Sequence, residues 1–335
     1  MKKIRRFFAK PFRWGCFYGC ILTLAAAWVL LDGFVIPRQV QVIEPPAQAS
    51  AESKISSISL LPDRAEMPSS SSSNLSASEY NEPSALPEPA PAGFTENGYQ
   101  DENLQLTITT AEYYDTTVYL AEIQLKDASL LKTAFAQNAY GQNLRETTSE
   151  MAEAHNAIFA INGDYYGFRK EGFVLRGGTL YRDIPRQSGE ILIFYSDGNL
   201  EIVEEAGTTG EQLIGAGAKE VFSFGPSLLV DGEITVSPTD EVGMAKTSNP
   251  RTAFGMIEPL HYLAVVSDGR TEESAGLSLY QLAQVMQEAG CRLAYNLDGG
   301  GSSTMWFHGE VVNNPTSGRK IGERRVSDIV YLGYE

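Results

Sequence analysis

Apolar residues follow three unlike patterns along this chain. From 14 to 36 (WGCFYGCILTLAAAWVLLDGFVI) nearly every position is apolar, with Asp32 the single charge. A helix apolar on all sides is a membrane span or a deeply buried element. At ~1.5 Å per residue this run reaches about 35 Å, enough to cross a bilayer. From 37 to 100 the apolar positions lose any period, and Pro, Ser, Ala and Glu dominate (PPAQASAES, then SSSSSNLSASEYNEPSALPEPAPAG). That composition does not repay ordering, so it predicts a disordered stalk spanning roughly 45 Å as a flexible coil. From 101 to 335 both the strand period and the helix period return, over a length that supports a single domain with its own core.

Within that domain, alternation over 104–110 and branched residues over 117–125 predict strands. Thr147 and Glu150 have capping-box spacing and open a short helix through Met151 and Ala154. Further strands are predicted at 157–161, 172–176, 190–195, 200–203, 227–230, 252–257, 262–267, 291–294, 303–307 and 328–333. The clearest helix is 279–289: Ser278 and Gln281 form a capping box, Leu279, Leu282, Ala283 and Met286 make one stripe, and Gly290 follows as the stop. Strands outnumber helices without a regular β-α alternation. The expectation is an α+β or mixed α/β fold, a central mixed sheet flanked by helices, with no internal repeat.

Charge refines the N-terminal reading. Lys2, Lys3, Arg5, Arg6, Lys10 and Arg13 precede the apolar run without an acid among them, which places segment 1–13 in the cytoplasm and everything after 37 outside. The apolar run is longer than a signal core, and the Ala-x-Ala pattern Ala47-Gln48-Ala49 lies well beyond it, so an uncleaved single-pass anchor is expected. Of 26 basic residues these six set aside leave 20 against 42 acidic, a formal charge of −22. That balance excludes nucleic acid as the partner of the outer part. Cys16 and Cys20 fall in the apolar run and Cys291 stands alone, so the outer domain has no internal disulfide. A bacterial cell-surface protein fits.

Candidate chemistry gathers at strand ends. Three predicted strands finish in NGDYYG (162–167), SDGR (267–270) and NLDGGGSS (296–303), and NPRTAFG (249–255) puts Arg251 and Thr252 at the start of another. Together they supply Asp164, Asp268 and Asp298, Arg251 and Arg270, and the amides of Asn162 and Asn296. Turns alone do not call for arginine and carboxylate together, and three consecutive glycines are costly to order unless backbone must approach a ligand. His155, His261 and His308 are the only histidines, without a zinc-binding spacing, and no P-loop or Gly-x-Ser-x-Gly elbow occurs. Acid–base work therefore falls to carboxylates, and a carboxylate pair is the usual equipment for glycoside cleavage.

These segments, with the GLSLYQLAQVMQEAGC helix, VVNNP and ERRVSD, resemble the phosphodiester glycosidase family, whose animal member removes N-acetylglucosamine from phosphomannose. Arg325 stands where the family more often has proline, and Tyr166 where phenylalanine is common. The resemblance implies hydrolysis of an N-acetylglucosamine-phosphate type sugar-1-phosphodiester on cell-surface or exopolysaccharide glycan. It implies Asp298 as first catalytic carboxylate and Asp164 as second. Arg251 and Arg270, with Thr252 beside them, suit the phosphate. Gly299, Gly300, Gly301, Ser302 and Ser303 would bind phosphate oxygens or sugar hydroxyls. Asn162, Asn296 and Asp268 would hold hydroxyls or orient charges, and Glu323 and Arg324 complete the pocket. No cofactor is required, and a structural divalent ion is left open. The partners implied are a phosphorylated glycan and, through the N-terminal helix, the membrane. A non-catalytic module binding phosphorylated wall or capsule glycan, and a metal-dependent phosphodiesterase, are the alternatives.

Overall fold

Helix α1 (Pro11–Phe34) takes in the N-terminal apolar run as far as Phe34. Proline suits its first turn, where a missing N–H loses no helical hydrogen bond. The computed structural model describes residues 11–34, 36–42, 93–240, 248–318 and 320–334; most of the predicted stalk lies outside them. The large apolar side chains of α1 from Trp14 to Leu31 are exposed. By length and composition it can cross a membrane, a test that a signal sequence also passes.

Two ends of the predicted stalk are structured. Strand β1 (Arg38–Val42) follows α1 almost at once and pairs antiparallel with β2 (Ala139–Gln142), Arg38 opposite Gln142 and Val42 opposite Ala139. A hairpin of Gly93–Thr95 and Gly98–Gln100 joins the main sheet through Leu104–Glu112, so the domain begins before position 101. Phe94 and Tyr99 explain the difference: their rings pack 4.8 Å apart, and Phe94 also stacks on His308 at 3.7 Å. Two aromatics in a polar stretch are enough to anchor a hairpin.

Helix α2 (Thr148–Ala154) has both halves of its Thr147–Glu150 capping box. After it come β3 (Phe159–Asn162), β4 (Val174–Arg176), α3 (Gly210–Gly215), β5 (Arg251–Glu258), β6 (His261–Ser267), α4 (Leu279–Glu288), β7 (Leu293–Asn296), β8 (Met305–Phe307) and β9 (Asp328–Leu332). A nine-stranded sheet runs Glu233–Ile234, Ser227–Val230, β7, β5, β6, Thr117–Leu125, Leu104–Glu112 and the Gly98–Gln100/Gly93–Thr95 hairpin. One five-stranded sheet runs Glu310–Val311, β8, β3, β9, Leu131–Phe135; the other runs Thr179–Arg182, β4, Ala218–Phe222, Glu190–Tyr195, Leu200–Glu204. The α+β class stands, and the described ladders of these three sheets are antiparallel throughout.

Burial explains which strands alternate. Leu104–Glu112 shows one face to solvent and alternates, whereas β5 and β6 are covered on both sides and read as continuous apolar runs. One face of the nine-stranded sheet meets the other sheets in a core that includes Phe159, Ile161, Phe222, Phe254, Tyr295 and Val330. The opposite face is covered by α4, whose Leu279, Leu282, Ala283 and Met286 pack with Ala253, Leu263 and Val265. Ser278 caps α4 reciprocally with Gln281, and Gly290 takes φ +88° just beyond its end, the left-handed stop the sequence predicts.

Candidate active site

Antiparallel pairing brings the polar clusters together. β5 runs against both β6 and β7, with Arg251 opposite Ser267 and Ala253 opposite Asn296. The start of β5 therefore lies beside the ends of β6 and β7, and NPRTAFG, SDGR and NLDGGGSS form one rim. NGDYYG arrives from the sheet holding β3. The Asn162 carboxamide ties the two sheets: its Oδ1 accepts from Thr252 Oγ1 at 2.8 Å and from the Thr304 N–H at 3.2 Å, and its Nδ2 donates to the Asp298 carbonyl at 2.6 Å.

Two cavities of about 210 and 190 Å³ lie at this rim and share Asp298 and Arg324 as a common wall. The first is lined by Asp164, Ser302, Arg145 and the rings of Tyr165 and Phe168, which stack 4.6 Å apart. The second is lined by Arg251, Arg270, Asn249, Asn296, Gly299 and Gly300. Both cavities carry guanidiniums: the first sets Arg145, Arg324 and Arg325 beside two carboxylates and two aromatic rings, and the second sets Arg251, Arg270 and Arg324 beside amides, open backbone and Asp298 as its one carboxylate.

Asp298 sits where the two meet. Burial pushes its carboxyl up to about 6, while the Ser302 hydroxyl, donating to Oδ2 at 2.6 Å, and the charges of Arg324 and Arg169 act in the opposite direction; Asp164 raises it further. Such a carboxyl can give or take a proton near neutrality. Asp164 is held by the N–H groups of Tyr166 at 2.8 Å and Ser223 at 3.2 Å. Behind it, Arg176 Nη2 reaches Asp328 at 2.5 Å and Asp164 at 3.5 Å, all three side chains being buried. Burial, then the Asp164 charge, raise the Asp328 carboxyl, against the pull of Arg176.

The glycines have a definite cause. Gly300 adopts φ +64°, and a Cβ on it would stand 2.7 Å from Arg270 Nη2; a Cβ on Gly301 would stand 2.7 Å from Arg324 Nη2. Side chains here would push the guanidiniums away from the rim. Arg270 is further fixed by donating through Nη2 and Nε to Asn249 Oδ1 at 2.8 and 3.2 Å, and Arg251 Nε donates to the Leu277 carbonyl at 2.9 Å. Burial, and after it the nearby Arg324 charge, lower the Arg270 pKa.

Of the residues the sequence singles out, Asp164, Asp298, Arg251, Arg270, Asn296, Gly299, Gly300, Ser302 and Arg324 line the cavities. Asn296 Oδ1 is buried without a hydrogen-bond partner among the described residues. Asn162 and Thr252 are spent on the bonds between sheets. Asp268 accepts from Tyr119 Oη at 3.1 Å and the Asn314 N–H at 2.8 Å, which fixes the C-terminal Asn-Asn loop. Glu323 turns away and accepts from the Ser149 N–H at 3.1 Å, at the start of α2. Gly301 and Ser303 lie behind the rim. Sequence reasoning passed over Arg176, Asp328, Arg145, Tyr165 and Phe168. Asp328 lies in the ERRVSD segment, but nothing local in the sequence pairs it with Arg176. Among the described residues no group of three His, Cys, Asp or Glu side chains gathers to hold a metal.

Fold and rim together define a sheet-rich α+β domain with a cleft at its strand ends lined by guanidiniums and carboxylates. A family model for phosphodiester glycosidases matches residues 155–332, just over half of the chain, and the chain belongs to that family. The SPbeta prophage-derived uncharacterized protein YomE of Bacillus subtilis (strain 168) is 29% identical over 240 residues, which cover 67% of this chain and 36% of YomE. The chain therefore spans about a third of the length of that curated relative. The zebrafish N-acetylglucosamine-1-phosphodiester alpha-N-acetylglucosaminidase catalytic domain, auto-inhibited by its pro-peptide, is similar in fold. Its TM-score is 0.58 at 20% identity, covering 73% of this chain and 87% of that one.

Proposed function

We propose that this cleft hydrolyses a sugar-1-phosphodiester of the N-acetylglucosamine-phosphate type on cell-surface or extracellular glycan, releasing the sugar and leaving a phosphomonoester. The observation that supports the reading is the common wall: Asp298 and Arg324 stand between a cavity that holds a second carboxylate, Asp164, and two aromatic rings and a cavity in which three guanidiniums face Asp298 as the one carboxylate. The phosphate occupies the second cavity, where Arg251, Arg270 and Arg324 supply charge-assisted, fork-shaped donors. The sugar occupies the first, against Tyr165 and Phe168, and the anomeric C–O bond lies at the wall.

Cleavage breaks the bond between the anomeric carbon and the phosphate oxygen, and the electron pair leaves with the phosphate. A phosphate monoester is a weak base, so stabilising its charge matters more than protonating it. Water supplies the new oxygen at the anomeric carbon, and its proton passes to the Asp298 carboxylate, the base at the wall. Asp164, oriented by Arg176 and by two backbone N–H groups, stabilises the positive charge that develops on the sugar. The unpartnered Asn296 Oδ1 accepts a hydroxyl of the substrate.

The test is direct. Full-length protein in detergent is incubated with an N-acetylglucosamine-1-phosphodiester, and free sugar is measured. Asp298→Asn should lower kcat at least 100-fold while the circular dichroism spectrum stays that of the folded protein. Full activity in that variant would remove Asp298 from the mechanism. Tight binding by the unmodified protein without turnover would favour a glycan-binding module instead.

A further inference from the structure

We infer that the substrate is anchored in the same membrane as the protein, because the strand following α1 is stitched into the domain beside the candidate site. This rests on the glycosidase reading above and on α1 crossing the membrane. Asp32 closes the apolar span. Just beyond it, the Ile36 N–H donates to the Leu31 carbonyl at 2.8 Å, and Arg38 pairs with Asp32. Arg38 is already the first residue of β1, which pairs with β2 on both sides of a register shift between Gln39 and Gln41, Arg38 opposite Gln142 and Val42 opposite Ala139. The Asn143 carboxamide, one residue past β2, donates to the Ile36 carbonyl at 3.1 Å, and its N–H donates to the Gly167 carbonyl at 3.1 Å. Gly167 stands between Tyr165 and Phe168, two walls of the first cavity. The path from membrane exit to sugar cavity is thus a tight turn and two hydrogen bonds.

No spacer intervenes on that path. β1 ends at Val42 and the next described strand begins at Gly93, both within one compact unit, so residues 43–92 follow β1 in sequence and do not come between α1 and that strand. They do not set the distance between helix and domain. A site held this way meets groups at lipid-headgroup height, and anchoring enzyme and substrate in one membrane raises their effective concentration. The class this selects is a lipid-linked sugar-1-phosphodiester, or the membrane-proximal unit of a lipid-anchored phosphoglycan.

The seam is tested first, without reference to activity. Directly opposed residues of an antiparallel pair have Cα atoms within disulfide range. In a background with Cys16 and Cys20 changed to Ser, Val42→Cys with Ala139→Cys should cross-link under mild oxidation. A protease site inserted between 43 and 92 then leaves anchor and domain as one band until reductant is added. Val42→Cys with Gln142→Cys, about 10 Å out of register, should not cross-link. Failure of the first pair, or equal cross-linking of the second, overturns the inference.

The substrate is tested next, with the oxidised Val42/Ala139 pair in liposomes. Turnover of a lipid-anchored N-acetylglucosamine phosphodiester in the same vesicles should exceed that of the same substrate in separate vesicles, or of its soluble analogue, at least tenfold. Equal rates overturn the inference and leave the glycosidase reading intact. A cross-linked protein that turns over none of the three substrates counts against the glycosidase reading itself.

Discussion

At the scale of single residues, the site is built by charges that neutralise one another behind the rim. Arg176 is the clearest instance, because it faces both Asp328 and Asp164 from a fully buried position. Removing one partner of a buried ion pair leaves uncompensated charge, at a cost of about 3–5 kcal/mol. Arg176→Met should therefore lower the urea midpoint sharply, with Arg176→Lys between it and the native protein; an unchanged midpoint would mean the pair carries no stability. Gly300→Ala adds a methyl group where φ is +64° and Arg270 stands 2.7 Å away. It should cost about 1 kcal/mol in backbone strain and raise KM for the phosphodiester more than it lowers kcat. Asp298 adds a pH test. If it takes the proton as a carboxylate, kcat/KM falls with acid through about pH 6, and Ser302→Ala, which removes a hydrogen bond favouring the charged form, should move that limb upwards.

At the scale of elements, the rim depends on strand direction. β7 reaches its place because α4 turns back at Gly290 and its apolar stripe lies on the outer face of β5 and β6. Leu282 is fully buried there, so Leu282→Ala should cost about 2–5 kcal/mol, and Ser278→Ala about 1 kcal/mol through the lost cap. Both should reduce activity only in proportion to unfolded protein, as measured by circular dichroism and sugar release on the same samples. α4 was legible from its caps and stripe, and 117–125 from its branched residues. The strands Leu131–Phe135, Thr179–Arg182 and Ala218–Phe222 were not, because their apolar residues become meaningful only when neighbouring strands cover them. The 93–100 hairpin was missed for a related reason: Phe94 and Tyr99 look isolated until the sheet edge is there to receive them.

At the scale of the whole molecule, buried carboxyls set how stability depends on pH. Glu220 accepts from Thr133 Oγ1 at 2.7 Å and the Gly177 N–H at 3.0 Å, yet burial lifts its pKa from 4.5 to about 7. Its folded value lies above its unfolded one. The stability it contributes is therefore complete below about pH 4.5 and lost as pH rises through 7. That difference corresponds to about 3 kcal/mol. The melting temperature should fall between pH 5 and pH 8, and Glu220→Gln should flatten that fall. An equal fall in the variant would assign the effect to Asp298 and Asp328, whose carboxyls are raised in the same direction.

The amino-acid sequence by itself determined the N-terminal apolar helix, the capped helix α4, the family and most of the rim's membership, because each is a local matter of period, spacing or motif. Asp298, Arg251 and Arg270 announced themselves as charges among glycines at strand ends. What each polar residue does with its bonds was decided only by the tertiary structure. Asn162 and Asp268 look no different in sequence from Asn296 and Asp164, yet the first two are consumed holding strands and loops together while the second two face the cavities. Arg176 and Asp328 lie 152 positions apart, and only sheet pairing brings them into contact. The same holds for the NLDGGGSS loop: its composition foretold a close approach of backbone, but the folded sheet alone supplied the guanidiniums behind Gly300 and Gly301 that forbid a side chain there.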